Sequence, residues 1–474
     1  MITLTLQETA AFAGATLATP AHAGMVIDAV STDTRRLVHG SLFVALKGEN
    51  HDAHQFLPQA VAAGAAALLV EQSARDAAVA TGAAVLVVND TLVGLQNLAH
   101  GLRRHLNPLV VGVTGSNGKT STKEFLRAVL ASRYNTAATP GNLNNHVGVP
   151  LTLLGLTKGQ DALVCEMGMN HPGEIAPLAR IAEPGIAVIT NIGLAHIEFM
   201  GTQEAIALEK GELVAALSPD GLAVLNADDP FTDSIAARCR GRVLRAGLNT
   251  GEVRALNPRM TPQGMEFQLS AGDQSATATI PVLGLHMVAN ATLAAAVGWS
   301  LGIDLEAIAS ALASSQPEKG RLQLRHLSGL TILDDSYNAN PDSMRAGILT
   351  LIQMNHQFGT GRRIAVLGHM AELGAGTDAI HGELGRWIAD QPVDTLCTVG
   401  AIARPLAEAA RRQRPGDWVQ AADTHAEAAA FLQQHARPSD VVLLKGSRSA
   451  HVETVLDHLP ESATSSPGIL SSSQ

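Results

Sequence analysis

This 474-residue chain is short of cysteine, aromatics and charge. Its three cysteines, Cys165, Cys239 and Cys397, stand far apart and form no C-x-x-C pair. Neither a zinc site nor a disulfide framework is suggested, and a reducing cytoplasm is the expected compartment. Charged residues make up 16%, the formal net charge is −10, and no long basic run occurs. Such a surface does not attract nucleic acid non-specifically, so no nucleic-acid partner is expected. No apolar run approaches a bilayer span. Ala21-His22-Ala23 imitates a signal-peptidase site. A basic leader is missing, however, and Gln7 and Glu8 interrupt the apolar stretch, so no signal peptide is expected.

Apolar residues, at 46%, are enough for several cores, while aromatics at 3% suit α/β layers with close small-residue contacts. At roughly 150 residues per domain the length predicts about three domains. In the first segment Leu42–Leu46, Ala66–Val70 and Val85–Val88 read as strands and Ala53–Ala63 as a helix. Leucines at 92, 95, 98, 102 and 106 predict a bridging helix that ends at Asn107-Pro108. Strands at Leu109–Val113, Ala162–Glu166, Ile186–Thr190 and Leu222–Leu225 then alternate with helices at Thr122–Leu130, Gly173–Ala182 and Gln203–Leu217. That alternation predicts a mainly parallel sheet. Residues 251–281 read as a small β excursion, followed by a helix from Met287 to Leu301. After Glu318-Lys319-Gly320-Arg321 the pattern restarts, with strands at Thr331–Leu333, Ile364–Leu367, Thr395–Val399 and Val441–Leu444. The expected class is α/β in three domains: residues 1–90 small, 91–318 central, and 319–474 doubly wound and Rossmann-like. The Ser-rich tail 461–474 is expected to be disordered.

The most informative stretch is Thr114-Gly115-Ser116-Asn117-Gly118-Lys119-Thr120-Ser121. A strand, a glycine turn and a helix bring backbone N–H groups and a helix N-terminus onto a phosphate. Lys119 is placed to reach the β- and γ-phosphates, and the Thr120 hydroxyl to hold Mg²⁺. A nucleoside triphosphate is the expected ligand. The loop is the short form T-G-x-x-G-K-T, a spacing that alone occurs by chance in many chains.

Other polar residues gather at strand C-terminal ends, where open α/β sheets bind ligands. Glu166 ends one strand, and His196 follows Asn191-Ile192-Gly193 after another. Taken singly, Glu166 reads as a cap and His196 as a loop histidine. Lys210, beside Glu209 and Glu212 in a helical stretch, reads by default as a solvated helix lysine. The run 334–341, with Asp335, Tyr337 and Asn338, suits either a turn or ribose recognition. The run 139–145, with Asn142, Asn144 and Asn145, is a turn or a polar ligand loop.

Taken together, these clusters carry a resemblance. The T-G-x-x-G-K-T loop at 114–120, Glu166, Asn191-Ile192-Gly193 with His196, Lys210, Asn290 and Arg321 resemble the Mur ligase family over nearly the whole length. Ser31–Arg35, Leu42–Gly48, Gly141–Asn145, Asp335–Pro341, Met370–Gly374 and Lys445–Ser449 resemble the branch that joins D-alanyl-D-alanine to a UDP-N-acetylmuramoyl-tripeptide. One departure is His369, where that branch more often has Asp. The resemblance implies an ATP-dependent ligase that activates a peptide carboxylate as an acyl phosphate. It implies two Mg²⁺ ions, one on Thr120 and Glu166 and one on His196 and a CO₂-derived carbamate of Lys210. It also implies that Asn290 reads adenine, Arg321 the phosphates and Asp335 the ribose, with Tyr337 and Asn338 as further nucleotide contacts. Thr32, Asp33, Arg35 and Lys47 are expected at the UDP end, and Asn142, Asn144 and Asn145 at the sugar-peptide. A monomer is expected. The alternatives are a sister ligase that adds the third peptide residue, and a phosphate-loop NTPase that acts as a switch.

Overall fold

Short aliphatic runs, most of them followed by a helix, build three large sheets, beside a two-stranded ribbon of Leu4–Thr5 and Val26–Ile27. The computed structural model describes residues 4–316, 318–327, 329–358 and 361–460. The expectation of disorder for 461–474 lies outside the described residues.

The first sheet runs in the order Thr16–Leu17, Ala84–Val88, Ala65–Glu71, Ser41–Val44, Ala29–Ser31. Only Thr16–Leu17 is antiparallel to its neighbour. The reading of one helix over Ala53–Ala63 is corrected. A 3₁₀ turn, Ala53–Phe56, is capped by Asp52 and precedes a helix, Leu57–Ala62, with proline in its first turn. Proline fits there because a first-turn N–H has no intrahelical partner.

The central sheet has nine strands. Thr136–Ala138, Ala162–Glu166, Leu109–Thr114, Ile186–Ile189, Leu222–Asn226, Arg242–Gly247 and Val253–Thr261 are parallel. Its inner strands are apolar without alternation because both faces are covered. Val111, Val113, Val164 and Val188 face one apolar cluster; Val110, Leu163, Cys165 and Ile189 face the other. From Leu109–Thr114 the chain crosses to the edge strand Thr136–Ala138. It returns through Ala162–Glu166, then passes to Ile186–Ile189 on the far side of Leu109–Thr114. This reversal opens a crevice above the strand C-termini, the place where such sheets bind ligands.

The β excursion is not a separate unit. Val253–Thr261, Gly264–Ala271 and Gln274–Ile280 continue the central sheet, the last two strands antiparallel. Their alternating burial sets one face against the helices Leu285–Ser300 and Leu305–Ala313. The helix expected from Thr122 starts earlier, at Lys119. Its first turn is polar and gives no apolar periodicity.

The third sheet runs Gln323–Leu327, Leu330–Asp335, Val441–Lys445, Arg363–Leu367, Thr395–Val399, Val419–Ala422, parallel except for the first strand. One apolar cluster runs from the central sheet into the third, and another from the first sheet into the central one. Among the described residues no helix is long and apolar enough to cross a membrane.

Candidate active site

Thr114 ends the switch-point strand, and the phosphate loop follows. Gly115 has φ 150°, and a Cβ there would lie 1.8 Å from the Thr190 hydroxyl oxygen. Gly118 has φ 79°, and its Cβ would meet the Asn290 amide at 2.5 Å. Only glycine fits either place. The loop is braced from behind. Ser116 N–H donates to Asn191 O (2.8 Å), Asn117 N–H to Asn191 Oδ1 (3.0 Å), and Gly193 N–H to Ser116 Oγ (2.8 Å). Among the described residues no side chain caps the helix Lys119–Ala131, so its first N–H groups are left for an anion. Lys119 Nζ donates to Gly115 O at 2.8 Å, folded back across the loop. Burial holds its pKa below the ordinary lysine range, and nearby Glu166 opposes that shift.

Glu166 is 2% exposed at the end of the neighbouring strand. Its Oε1 accepts from Asn144 Nδ2 at 2.8 Å, while Oε2 is buried with no hydrogen-bond partner among the described residues. A buried carboxylate oxygen with nothing to bind is costly, and a cation is the partner that suits it.

His196 sits in the left-handed region at φ 62°, as does Glu372 at φ 60° on the third sheet's loop. The two side chains meet at 2.5 Å through Nδ1 and Oε2. The His196 contact holds the Glu372 carboxyl below its usual range. An ionised carboxylate only accepts, so Nδ1 carries a proton and Nε2 is the ring nitrogen on the side away from Glu372. A carboxylate behind the imidazole is the usual support of a metal-binding histidine.

Lys210 is not a solvated helix lysine. Its helix, Gln203–Ala215, buries Ile206, Ala207, Glu209, Lys210, Gly211, Leu213 and Val214. Glu209 accepts instead from Gly173 N–H and Ile175 N–H, both at 2.8 Å, and Glu212 pairs with Arg238. Lys210 Nζ is buried without a hydrogen-bond partner among the described residues. Burial first, then the charge of Lys119, push its pKa well below the ordinary value. The shift raises the share of neutral amine, the form that takes up CO₂, above that of a solvated lysine.

Across the crevice, Arg321 Nη2 donates to Thr120 Oγ1 at 2.9 Å, and its guanidinium lies over Tyr337, 4.2 Å from the ring centroid. Asn290 is buried, and among the described residues the hydrogen-bond partner of its amide is the Met287 sulfur, at 3.9 Å. Beside it Ser121, Phe125, Val282, Met287, Ser315 and Arg321 line a narrow cleft. Asp335 is held by Lys445 Nζ at 2.6 Å. Lys445 also donates to Asn338 O, and Asn338 Oδ1 accepts from Ala339 N–H. His369 Nε2 lies 3.0 Å from Ser449 Oγ, and burial keeps its ring toward the neutral form.

The remaining expected residues stand apart from this cluster. Asp33 is bound to Arg35 at 2.8 and 2.9 Å, next to Thr32, and Arg35 is 86% exposed. Lys47 is exposed and pairs through its backbone with Asp52. No hydrogen bond between described residues ties Thr32, Asp33, Arg35 or Lys47 to the phosphate loop. The strand Ala29–Ser31, just before them, packs beside the helix Gly148–Leu154. Asn145 caps that helix by accepting from Gly148 N–H at 2.8 Å, whereas Asn142 is exposed. Reading the sequence missed Lys123, Glu318, Glu372 and Asn340. Lys123 lies one helical turn after Lys119, a spacing that puts both on one face and was available as a signal. Asn340 Nδ2 donates to Asn117 Oδ1 at 2.7 Å across 223 residues of chain, which no local pattern reveals.

Residues 113–298 match the Mur ligase middle domain, and 320–448 the Mur ligase glutamate ligase domain. A Bacillus subtilis protein named UDP-N-acetylmuramoyl-tripeptide–D-alanyl-D-alanine ligase is 37% identical over 466 residues, 98% of this chain and 100% of that protein. The chain belongs to the Mur ligase family. Its fold matches a solved structure of MurF from Acinetobacter baumannii with a TM-score of 0.89, 36% identity, and 97% and 99% of the two chains covered. It also matches a Thermotoga maritima MurF ligase solved in complex with ADP, with a TM-score of 0.79, 30% identity, and 91% and 96% covered.

Among the described residues no three His, Cys, Asp or Glu side chains converge as a metal cage. For Mg²⁺ in a Mur ligase that is no obstacle, since this ion takes one or two carboxylates and completes its shell with phosphates and water. The unpaired Glu166 oxygen, the outer nitrogen of His196 and the unpaired Lys210 amine fit that arrangement.

Proposed function

We propose that this Mur ligase joins D-alanyl-D-alanine to UDP-N-acetylmuramoyl-tripeptide at the expense of ATP, in the cytoplasm, as a step of peptidoglycan synthesis. The observation that carries the reading is the end-to-end match to a ligase named for that reaction. Residues 1–90 would receive the UDP end through Thr32, Asp33, Arg35 and Lys47. Residues 91–318 would bind ATP, and 319–474 would close over it. Asn142, Asn144 and Asn145 would meet the sugar-peptide.

The peptide carboxylate attacks the γ-phosphorus of ATP, ADP leaves, and an acyl phosphate forms. The free amine of D-alanyl-D-alanine attacks the acyl carbon, and the tetrahedral intermediate collapses to amide and phosphate. Two anions must first be brought together, and positive groups fixed beforehand do this best. Lys119 would turn from Gly115 O to the γ-phosphate, and Arg321 from Thr120 to the phosphates. Asn290 would read adenine laid in the cleft against Phe125, Val282 and Met287. Asp335, Tyr337 and Asn338 would border the ribose. Thr120 and Glu166 would hold one Mg²⁺, and His196 with a Lys210 carbamate the other. When bound, these ions supply charge that offsets the repulsion between carboxylate and phosphate.

The test is phosphate release by the purified protein with ATP. D-alanyl-D-alanine should raise the rate only when the UDP-linked tripeptide is present. A free diamino acid acting with the UDP-linked dipeptide would move the reading to the sister ligase. Release indifferent to every acceptor would leave a plain NTPase.

A further inference from the structure

Lys123 has no part in the chemistry above, yet it is as completely enclosed as Lys210. It lies on the phosphate-loop helix one turn after Lys119, is 0% exposed, and is among the largest fully buried side chains. Its Nζ donates to Thr139 O at 3.0 Å, to Gly141 O at 3.4 Å and to Glu318 Oε1 at 3.0 Å, and lies 3.2 Å from Glu124 Oε1. These partners sit on separate pieces of the molecule.

Thr139 and Gly141 begin the loop that carries Asn144 to Glu166. Thr139 also accepts from Glu166 N–H at 2.9 Å through its hydroxyl, and its own N–H donates to Val164 O at 3.0 Å. Further along, Asn144 O accepts from Gly168 N–H at 2.8 Å. The loop is thus fastened to the Glu166 strand at both ends. Glu318 lies in the connection between the helix Leu305–Ala313 and the strand Gln323–Leu327, the passage from the second sheet to the third. Glu318 Oε2 stands 3.8 Å from Arg321 Nε. Gly320, in that connection, accepts through its carbonyl from Tyr337 N–H at 3.1 Å.

We propose that Lys123 is a positioning residue that couples the two ligands of this enzyme. Through Glu318 it senses where the connection, and with it Arg321, is set. Through Thr139 and Gly141 it fixes the loop that places Asn144 on Glu166. Nucleotide drawn onto Arg321 shifts the Glu318 carboxylate. Lys123 transmits that shift because a buried ammonium cannot surrender one partner without tightening on the others. Binding of ATP thereby orders the loop assigned to the UDP-linked substrate. The inference rests on the ligase reading, since it needs two substrates meeting at one crevice.

Hydrogen exchange and calorimetry on the full-length protein test it. With Mg²⁺ and a non-hydrolysable ATP analogue, the wild-type protein should exchange more slowly at 114–121 and also at 139–145. Binding of UDP-N-acetylmuramoyl-tripeptide should tighten about fivefold or more, the low end of ordinary coupling. In Glu318→Ala the protection at 114–121 should persist, that at 139–145 should vanish, and the analogue should no longer tighten tripeptide binding. Lys123→Met should behave alike where it folds, and the Glu318 variants decide the matter where it does not. Glu318→Gln should keep part of the coupling, because its amide oxygen still accepts. A purely structural role would lower the melting midpoint without touching the coupling. Coupling that survives Glu318→Ala overturns the proposal, as does a wild-type protein whose 139–145 segment ignores the analogue. A wild-type protein that binds neither ligand would instead remove the ligase reading.

Discussion

A single amine shows how much a residue's surroundings decide. Nothing in the local sequence distinguishes Lys210 from a solvent-facing lysine, because adjacent glutamates are the usual company of one. The structure assigns those glutamates elsewhere: Glu209 to two backbone N–H groups and Glu212 to Arg238. Lys210→Ala should therefore lose nearly all ligase activity, and Lys210→Arg should fail equally, since a guanidinium keeps its charge and takes up no CO₂. Added acetate should restore part of the rate to the Ala variant by standing in for the lost carboxylate. An active Lys210→Arg enzyme would sink the carbamate assignment. Lys119→Ala should lower the rate by roughly 10²–10³-fold, the usual cost of removing one fixed charge-stabilising donor. Its fold, read by circular dichroism, should be unchanged. For Glu372→Ala the change should appear in the metal titration. The Mg²⁺ needed for half-maximal rate should rise about 10–100-fold, the ordinary effect of stripping support from a ligating histidine. An unchanged titration would reduce Glu372 to a structural clasp.

Among the elements, those buried on both faces were the most legible. Ala162–Glu166 and Thr395–Val399 fall where their aliphatic runs place them. Thr136–Ala138, Arg242–Gly247 and Val419–Ala422 escaped notice because they are short or partly exposed and carry few large apolar residues. The phosphate loop was legible as a motif, but its bracing was not. Asn290 comes from a helix that starts 166 residues after the loop's Lys119, and only the fold brings it onto Gly118. Gly118→Ala should therefore do more than strain a left-handed residue, which alone costs about 1–3 kcal/mol. It must also displace the Asn290 amide. Urea unfolding should show the loss of stability, and binding of an ATP analogue should weaken with it. Normal nucleotide affinity in a folded Gly118→Ala protein would show that the loop yields where the packing says it cannot.

At the scale of the molecule, the boundary between the second and third sheets holds a titratable group that the sequence did not single out. His286 faces Asp335 and Lys445, and burial, opposed by Asp335 and aided by Lys445, holds its pKa down to about 4. An unfolded chain takes up this proton near pH 6.5, whereas the folded protein resists it until about 4. In that window the unfolded state binds more protons, so the stability this site contributes is whole above pH 6.5 and drains away as the pH falls toward 4. Thermal melts across that range should show a shallower slope for His286→Asn than for the wild type; equal slopes would place the acid sensitivity elsewhere.

The same boundary is crossed by Arg321 to Thr120 and by Asn340 to Asn117. In each pair at least one member is a group that ATP or its metal would claim. Ligand and protein thus bid for the same donors and acceptors, and loading the crevice exchanges one set of ties for another of similar number. If the third sheet's unit closes on a loaded crevice, that exchange would keep it attached throughout and keep both closing and product release low in cost.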